Sequence, residues 1–229
     1  MKKDKITRKR LRKKYYPQKF VDNKIQIMNK FYKDLKKYHY SKVISIDETS
    51  IYINMTGSYG RSKSGRRAIL TTTTYPFKKF NLLCAITSKG IVGIELSEHV
   101  KGGINVSIFN QFVDKYIDKK YKGYLILLDN APFHRSKILV NNILKTKNKI
   151  LNCVPYNPKT NPIDTASLMP ILKQSFWEEF FSQLKHYIKL ASPQSFNEIK
   201  KVIKYTIKNK IKKKHLENYF KHTYQIYNK

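Results

Sequence analysis

The run Tyr124-Leu125-Ile126-Leu127-Leu128 narrows most sharply what this chain can fold into. Five apolar residues in succession leave no polar face. A strand made of them must be covered on both sides, as a central strand is in a sheet layered between helices. The run ends in Asp129-Asn130, and a second one, Lys42-Val43-Ile44-Ser45-Ile46, ends in Asp47-Glu48. With Lys and Arg numbering 47 against 15 Asp and Glu, acids at the tips of two apolar strands are not there for solubility. Hard divalent cations take oxygen ligands and share a few carboxylates with substrate phosphates. Two such ions can clamp the attacking and leaving oxygens of a phosphodiester. Asp47 and Asp129 therefore point to metal-dependent chemistry on nucleic acid.

The charge agrees. A formal net charge of +32 calls for a polyanionic partner, because neutralising phosphates releases counterions. Codon bias toward Lys, Asn, Ile and Tyr is the bland alternative, but the same bias favours Asp and Glu codons and does not by itself give a threefold excess of bases. A membrane is excluded as a spanned medium, since no stretch approaches the roughly 18 apolar residues a crossing helix needs. The N-terminus MKKDKITRKRLRKKYYPQKF lacks a secretory apolar core. Cys84 and Cys153 lie in separate apolar runs with neither metal-ligand nor disulfide spacing. They read as buried thiols in a reducing, intracellular compartment where DNA is accessible.

Periodicity sets the organisation. Residues 1–40 comprise a basic arm and a linker helix over VDNKIQIMNKFYKDLKKY. From 41 the pattern becomes strands: KVISID, SIYINM after a turn at Thr49-Ser50, RRAILTTTT, then FNLLCAIT and GIVGIELS around Lys89-Gly90. A helix over NVSIFNQFVDKYIDKKY precedes GYLILLD. A loop, NAPFHR, leads to a helix over SKILVNNILKTKN with Ser136 as N-cap. The strand KILNCVPY, the loop YNPKTNPI, a helix from about Glu178 and one long basic helix after the Ala191-Ser192-Pro193 break complete the chain. This α/β order puts the acids at the carboxyl ends of central strands, where sites in such sheets form.

Four ordered segments, ISIDETS, SYGRSKSGRRA, LLDNAPFHRSK, and VPYNPKTNPI followed by EEFFSQLKHYIK, resemble the successive motifs of the catalytic domain of mariner-superfamily transposases, in particular the bacterial insertion-sequence branch. The resemblance spans about residues 40–190. It implies an RNase H-like mixed five-stranded sheet flanked by helices, here with a basic N-terminal arm and a helical C-terminus. It also implies a triad of two aspartates and a third acid, two Mg2+ or Mn2+ ions, and the cutting and joining of DNA ends. Asp47 matches the first acid and Asp129 the second. DNA, as transposon ends and target, is the implied partner, with a homodimer open to it. The family carries a paired helix-turn-helix region ahead of this domain, and only the arm and linker helix precede Ser41 here. The expectation is a catalytic domain over 41–229 whose end-reading module is missing.

Two positions compete for the third acid. Asp164 follows Asn161-Pro162-Ile163 at a spacing that matches the family. Glu178 follows DTASLMPILKQSFW, and without residues 164–177 the chain reads NPIEEFFSQLKHYIK, so those residues look like an insertion. Pro170 would interrupt a helix begun at Asp164, which favours Glu178. Glu48, beside Asp47, faces the other side of the strand. Asn130 either bonds near the metals or makes the turn. Arg61, Arg66 and Arg67 form a basic turn suited to phosphate clamping, and His134 either contacts the scissile phosphate, as the resemblance implies, or is a local hydrogen-bonding residue of its loop. The rival readings are a catalytically idle relic that only binds DNA and a host-type nuclease on the same scaffold.

Overall fold

Strands β1 (Val43–Tyr52), β2 (Lys79–Thr87), β3 (Gly90–Glu98), β4 (Leu125–Leu128) and β5 (Lys149–Asn152) form one sheet in the order β3-β2-β1-β4-β5. The computed structural model describes residues 18–225 apart from 54, 56–60, 70, 72–77, 99–102, 156, 158, 159 and 164–179. β2 runs antiparallel to both β1 and β3, while β4 runs parallel to β1 and β5. The β2–β3 hairpin is tied by Thr87, whose hydroxyl accepts from the amides of Lys89 and Gly90, each at 3.2 Å.

The all-apolar β4 is buried along its whole length, as its composition demands. Leu125 and Leu127 join one core with helices α1 (Gln18–Leu35), α4 (Phe180–Ala191), α5 (Phe196–Asn209) and α6 (Lys213–Gln225). Ile126 and Leu128 join a second core with α2 (Val106–Val113) and α3 (Lys137–Lys145). Each such side chain contributes about 1.5–3 kcal/mol on full burial, so the strand that anchors Asp129 is among the most firmly held. On the second face the Tyr116 ring lies directly on Gly93 of β3, where a Cβ would run into it. Asn105 caps α2 by accepting from the Ile108 amide (3.0 Å), and Ser195 caps α5 by accepting from the Glu198 amide (3.2 Å).

Several expectations are corrected. Thr49-Ser50 makes no turn: both residues pair with β2, opposite Leu82 and Asn81, and β1 continues through them. Of RRAILTTTT, the described residues 66–69 belong to no strand, and most of the remainder lies outside the described residues. The long basic helix divides into α5 and α6, because the Ile211 amide turns back to the Thr206 carbonyl (3.1 Å) and Ile211 becomes buried. Ser136 stands at the N-cap of α3 without a side-chain bond. The helix read as a linker is docked on the domain: Phe31, Tyr32 and Leu35 are in the first core, and the Tyr224 hydroxyl donates to the Tyr38 carbonyl at 2.7 Å. Cys84 and Cys153 are buried free thiols.

Candidate active site

Parallel pairing sets Val43 beside Leu125, Ile44 beside Ile126 and Ser45 beside Leu127. The same register continued by two residues would set Asp47, in the middle of β1, opposite Asp129, the first residue past β4. Asp47 sits on the face shared with Cys84, its partner across β2. Burial pushes the Cys84 thiol well up, and the Asp47 charge adds to the shift.

Asp47 is only 6% exposed and is held by neutral donors. Its Oδ1 accepts from the Glu48 amide at 2.7 Å, and its Oδ2 accepts from Asn161 Nδ2 at 2.8 Å. Asn161 is fixed in turn by Ser45, whose hydroxyl donates to Asn161 Oδ1 at 2.6 Å, and by the Ile163 amide at 3.3 Å. The loop bearing Asn161 is pinned by Thr160, which accepts from the Val154 amide and donates to the Asn157 carbonyl.

Asp129 is held differently. Its side chain is 46% exposed, and its Oδ1 meets both the Ala131 amide (2.9 Å) and His134 Nδ1 (2.5 Å). Burial disfavours the charged form, but the His134 hydrogen bond, the Ala131 amide and the attraction of His134 outweigh it. The carboxyl is held below the usual aspartate range. Of the two readings of His134, the local one fits its surroundings: it is 1% exposed, packs its ring on Phe109 and Phe133, and bonds the Asp129 carboxylate. Asn130 ties the strand ends together, its side-chain amide donating to the Cys153 carbonyl beyond β5.

Glu48 points to the side of β1 opposite Asp47. Burial raises its carboxyl above the usual range, His134 opposes that shift, and Asp129 adds to it. Glu48 Oε2 and His134 Nε2 are buried without hydrogen-bond partners among the described residues. Glu48 Oε2 is a buried carboxylate oxygen near Asp129, the kind of ligand a hard divalent ion takes, although it faces away from Asp47. Among the described residues no cluster of three metal-ligating side chains occurs. Asp164 and Glu178 lie outside the described residues, but their flanks meet: the Phe181 amide donates to the Ile163 carbonyl at 3.5 Å.

Arg61, Arg66 and Arg67 are exposed on the excursion between β1 and β2, which leaves and re-enters the sheet beyond Asp47. The turn is closed by the Arg66 amide on the Lys63 carbonyl (3.0 Å), with Gly65 at φ +80°. Only glycine adopts that conformation without strain. Sequence reasoning missed Asn161 and Ser45. A polar residue in a loop leaving the carboxyl edge of the sheet was the available signal for Asn161.

The strand order, with helices packed on both faces of the sheet, defines an RNase H-like architecture. A model of the DDE superfamily endonucleases matches residues 42–200, and the chain belongs to that family. No curated protein matches the sequence. Among solved structures, the crystal structure of the catalytic domain of Mos1 mariner transposase superposes with a TM-score of 0.66 at 14% identity, covering 96% of this chain and 95% of that one. The Mos1 mariner paired-end complex with Mn gives a TM-score of 0.77 at 16% identity, covering all of this chain and 67% of that one. The Mos1 paired-end complex with the left transposon end gives 0.76 at 16%, covering all of this chain and 66% of that one. The chain thus spans about two thirds of the Mos1 chains in those complexes and nearly the whole of the isolated catalytic domain.

Proposed function

We propose that this is the catalytic domain of a DNA transposase, which breaks DNA phosphodiester bonds and joins the freed 3'-hydroxyl to a target strand. The observation that carries the reading is that Asp47 and Asp129 each follow by two residues the last paired residues, Ser45 and Leu127, of adjacent parallel strands in an RNase H-like sheet. These carboxylates would hold Mg2+ or Mn2+, two ions in all. When bound, such ions lower the pKa of an attacking water or hydroxyl and stabilise the departing oxygen.

The chain's own residues orient this pair. Asn161 holds one oxygen of Asp47, and the Glu48 amide holds the other. His134 and the Ala131 amide fix Asp129 through one oxygen, leaving the other for a ligand. The exposed Arg61, Arg66 and Arg67 would supply planar, bidentate donors to the DNA backbone. For the third acid, Glu178 is preferred over Asp164, because residues 164–177 read in the sequence as an insertion and Pro170 would interrupt a helix begun at Asp164.

The test is nicking of supercoiled plasmid by the purified protein with Mn2+. Asp47→Asn and Asp129→Asn should each reduce nicking to background with folding intact. Glu178→Gln should do the same, while Asp164→Asn only weakens it, and the reverse pattern hands the role to Asp164. DNA binding without cutting by the wild-type protein would leave an idle relic. Cleavage confined to RNA–DNA hybrids would indicate a host-type nuclease.

A further inference from the structure

The outer face of α5 carries a lysine stripe that the cleavage chemistry does not use. Lys200, Lys204 and Lys208 recur every four residues, about 6 Å apart along the helix, with Lys201 beside them, and all four are exposed. None is in an ion pair among the described residues. From Lys189 to Lys214 the sole acid is Glu198, and it is engaged at the helix start, accepting from the Gln194 amide at 2.8 Å. Tyr205 stands at the edge of the stripe, 58% exposed, with the Lys210 ammonium 6.0 Å from its ring centroid. Lysines concentrated without a counter-charge repel one another and weaken the helix, so their common placement calls for an anionic occupant.

The position of α5 says which one. Its first residue, Phe196, packs on Phe80 at 5.1 Å between ring centroids. Phe80 pairs with Ile51, four residues beyond Asp47 on the same face of the sheet. That step is about 13 Å along a strand, or about four base pairs of duplex at 3.4 Å each. We infer that the Lys200–Lys208 face of α5 binds the phosphate backbone of the duplex that continues outward from the bond being cut. The inference rests on the transposase reading and adds a surface to it. The stripe holds point charges without a planar fork, so it takes phosphates without reading sequence.

The experiment compares two variants of equal charge. Lys200, Lys201, Lys204 and Lys208 are changed together to Gln in one. In the other, Lys119, Lys120, Lys122 and Lys149, exposed at the opposite edge of the sheet, are changed to Gln. Affinity for a fluorescein-labelled duplex of arbitrary sequence is measured by anisotropy across a KCl series, with helicity and thermal midpoint as folding controls. Each phosphate that the protein no longer neutralises should flatten the plot of log affinity against log salt by about 0.9. The α5 variant should lose two or more such steps and bind about 10- to 100-fold more weakly at low salt, whereas the opposite-edge variant should lose less than one. Equal losses in both variants, or an unchanged slope in the α5 variant, would overturn the surface. Plasmid nicking is scored separately. A wild type that never cuts but shows the α5-specific slope change keeps the surface and loses the transposase reading, while normal cutting with an unchanged slope does the opposite.

Discussion

Asp47 and Asp129 come from neighbouring strands, yet the protein supports them by opposite means. Asp47 is buried and receives neutral donors, one of them from Asn161, 114 residues away. Asp129 is half exposed and is backed by His134, five residues on, in the turn its own strand leads into. A buried carboxylate depends on the hydrogen bonds it accepts, because an unmet charge in the interior costs far more than one at the surface. A half-exposed carboxylate can turn to water when its partner is lost. Asp47 is therefore positioned by the completed tertiary fold, and Asp129 by local chain geometry. The two should respond differently to loss of their partners.

The sharpest way to break the contrast is at Asn161. Replacing it with Asp sets a second carboxylate against Asp47 at hydrogen-bond distance, and both folding and Mn2+-dependent nicking should collapse. Asn161→Ala is milder. It removes the Asn161 donor from Asp47 and the acceptor of the buried Ser45 hydroxyl, a loss of about 1–3 kcal/mol in urea unfolding. Misorientation of a metal ligand should weaken Mn2+ dependence by about 10- to 100-fold. Unfolding and nicking in Asn161→Ala that both match the wild type would show that Asp47 does not need the loop.

At His134 the expected effects separate. His134→Phe keeps a ring against Phe109 and Phe133 but removes the donor to Asp129. Exposure lets water replace that donor, so stability should change less than in Asn161→Ala. The Mn2+ concentration giving half-maximal nicking should rise about 10-fold or more, with much of the rate restored at saturating metal. An unchanged Mn2+ requirement would remove the positioning role, and a rate that saturating metal cannot restore would point to a direct part in the chemistry.

How much was legible follows the same divide. The apolar run 124–128 and the β2–β3 pair were readable because each pattern is satisfied within a few residues. The apolar runs leading to Asp47 and Asp129 were readable for the same reason, although β1 continues five residues past Asp47. Asn161 was missed because its partner is named only by the fold. The docking of α1 was missed for the same reason: its basic exterior suggested a linker, while Phe31, Tyr32 and Leu35 found their cover in distant segments. Thr49-Ser50 looked like a turn because both residues are common in turns, but cross-strand pairing with β2 overrides that local tendency. His134 was located with two readings left open, a phosphate contact and a local hydrogen bond, since spacing does not reveal which way a loop ring rotates.

The smallest effect, and the one that isolates Asp129 from Asp47, is the dependence of stability on pH without metal. The Asp129 carboxyl is held below its ordinary value, so the folded state binds its proton more weakly than the unfolded chain does. Its contribution is present above the unfolded value and is lost as pH falls through the folded one. Glu48 is shifted the other way, chiefly by burial. Its contribution is present below the unfolded value and is lost as pH rises through the raised folded one. The windows lie on either side of the ordinary carboxylate range, so together the two groups favour folding most within it. Urea unfolding in EDTA across a pH series should reveal this through single substitutions. Asp129→Asn should remove part of the acid-side fall, and Glu48→Gln should remove part of the decline on the alkaline side and stabilise the protein at neutral pH. His134→Phe should shrink the acid-side contribution, because the hydrogen bond that lowers the Asp129 carboxyl is gone. An acid limb unchanged in both Asp129→Asn and His134→Phe would mean that His134 does not hold the charge of Asp129, and the asymmetry between the two carboxylates would then reduce to burial alone.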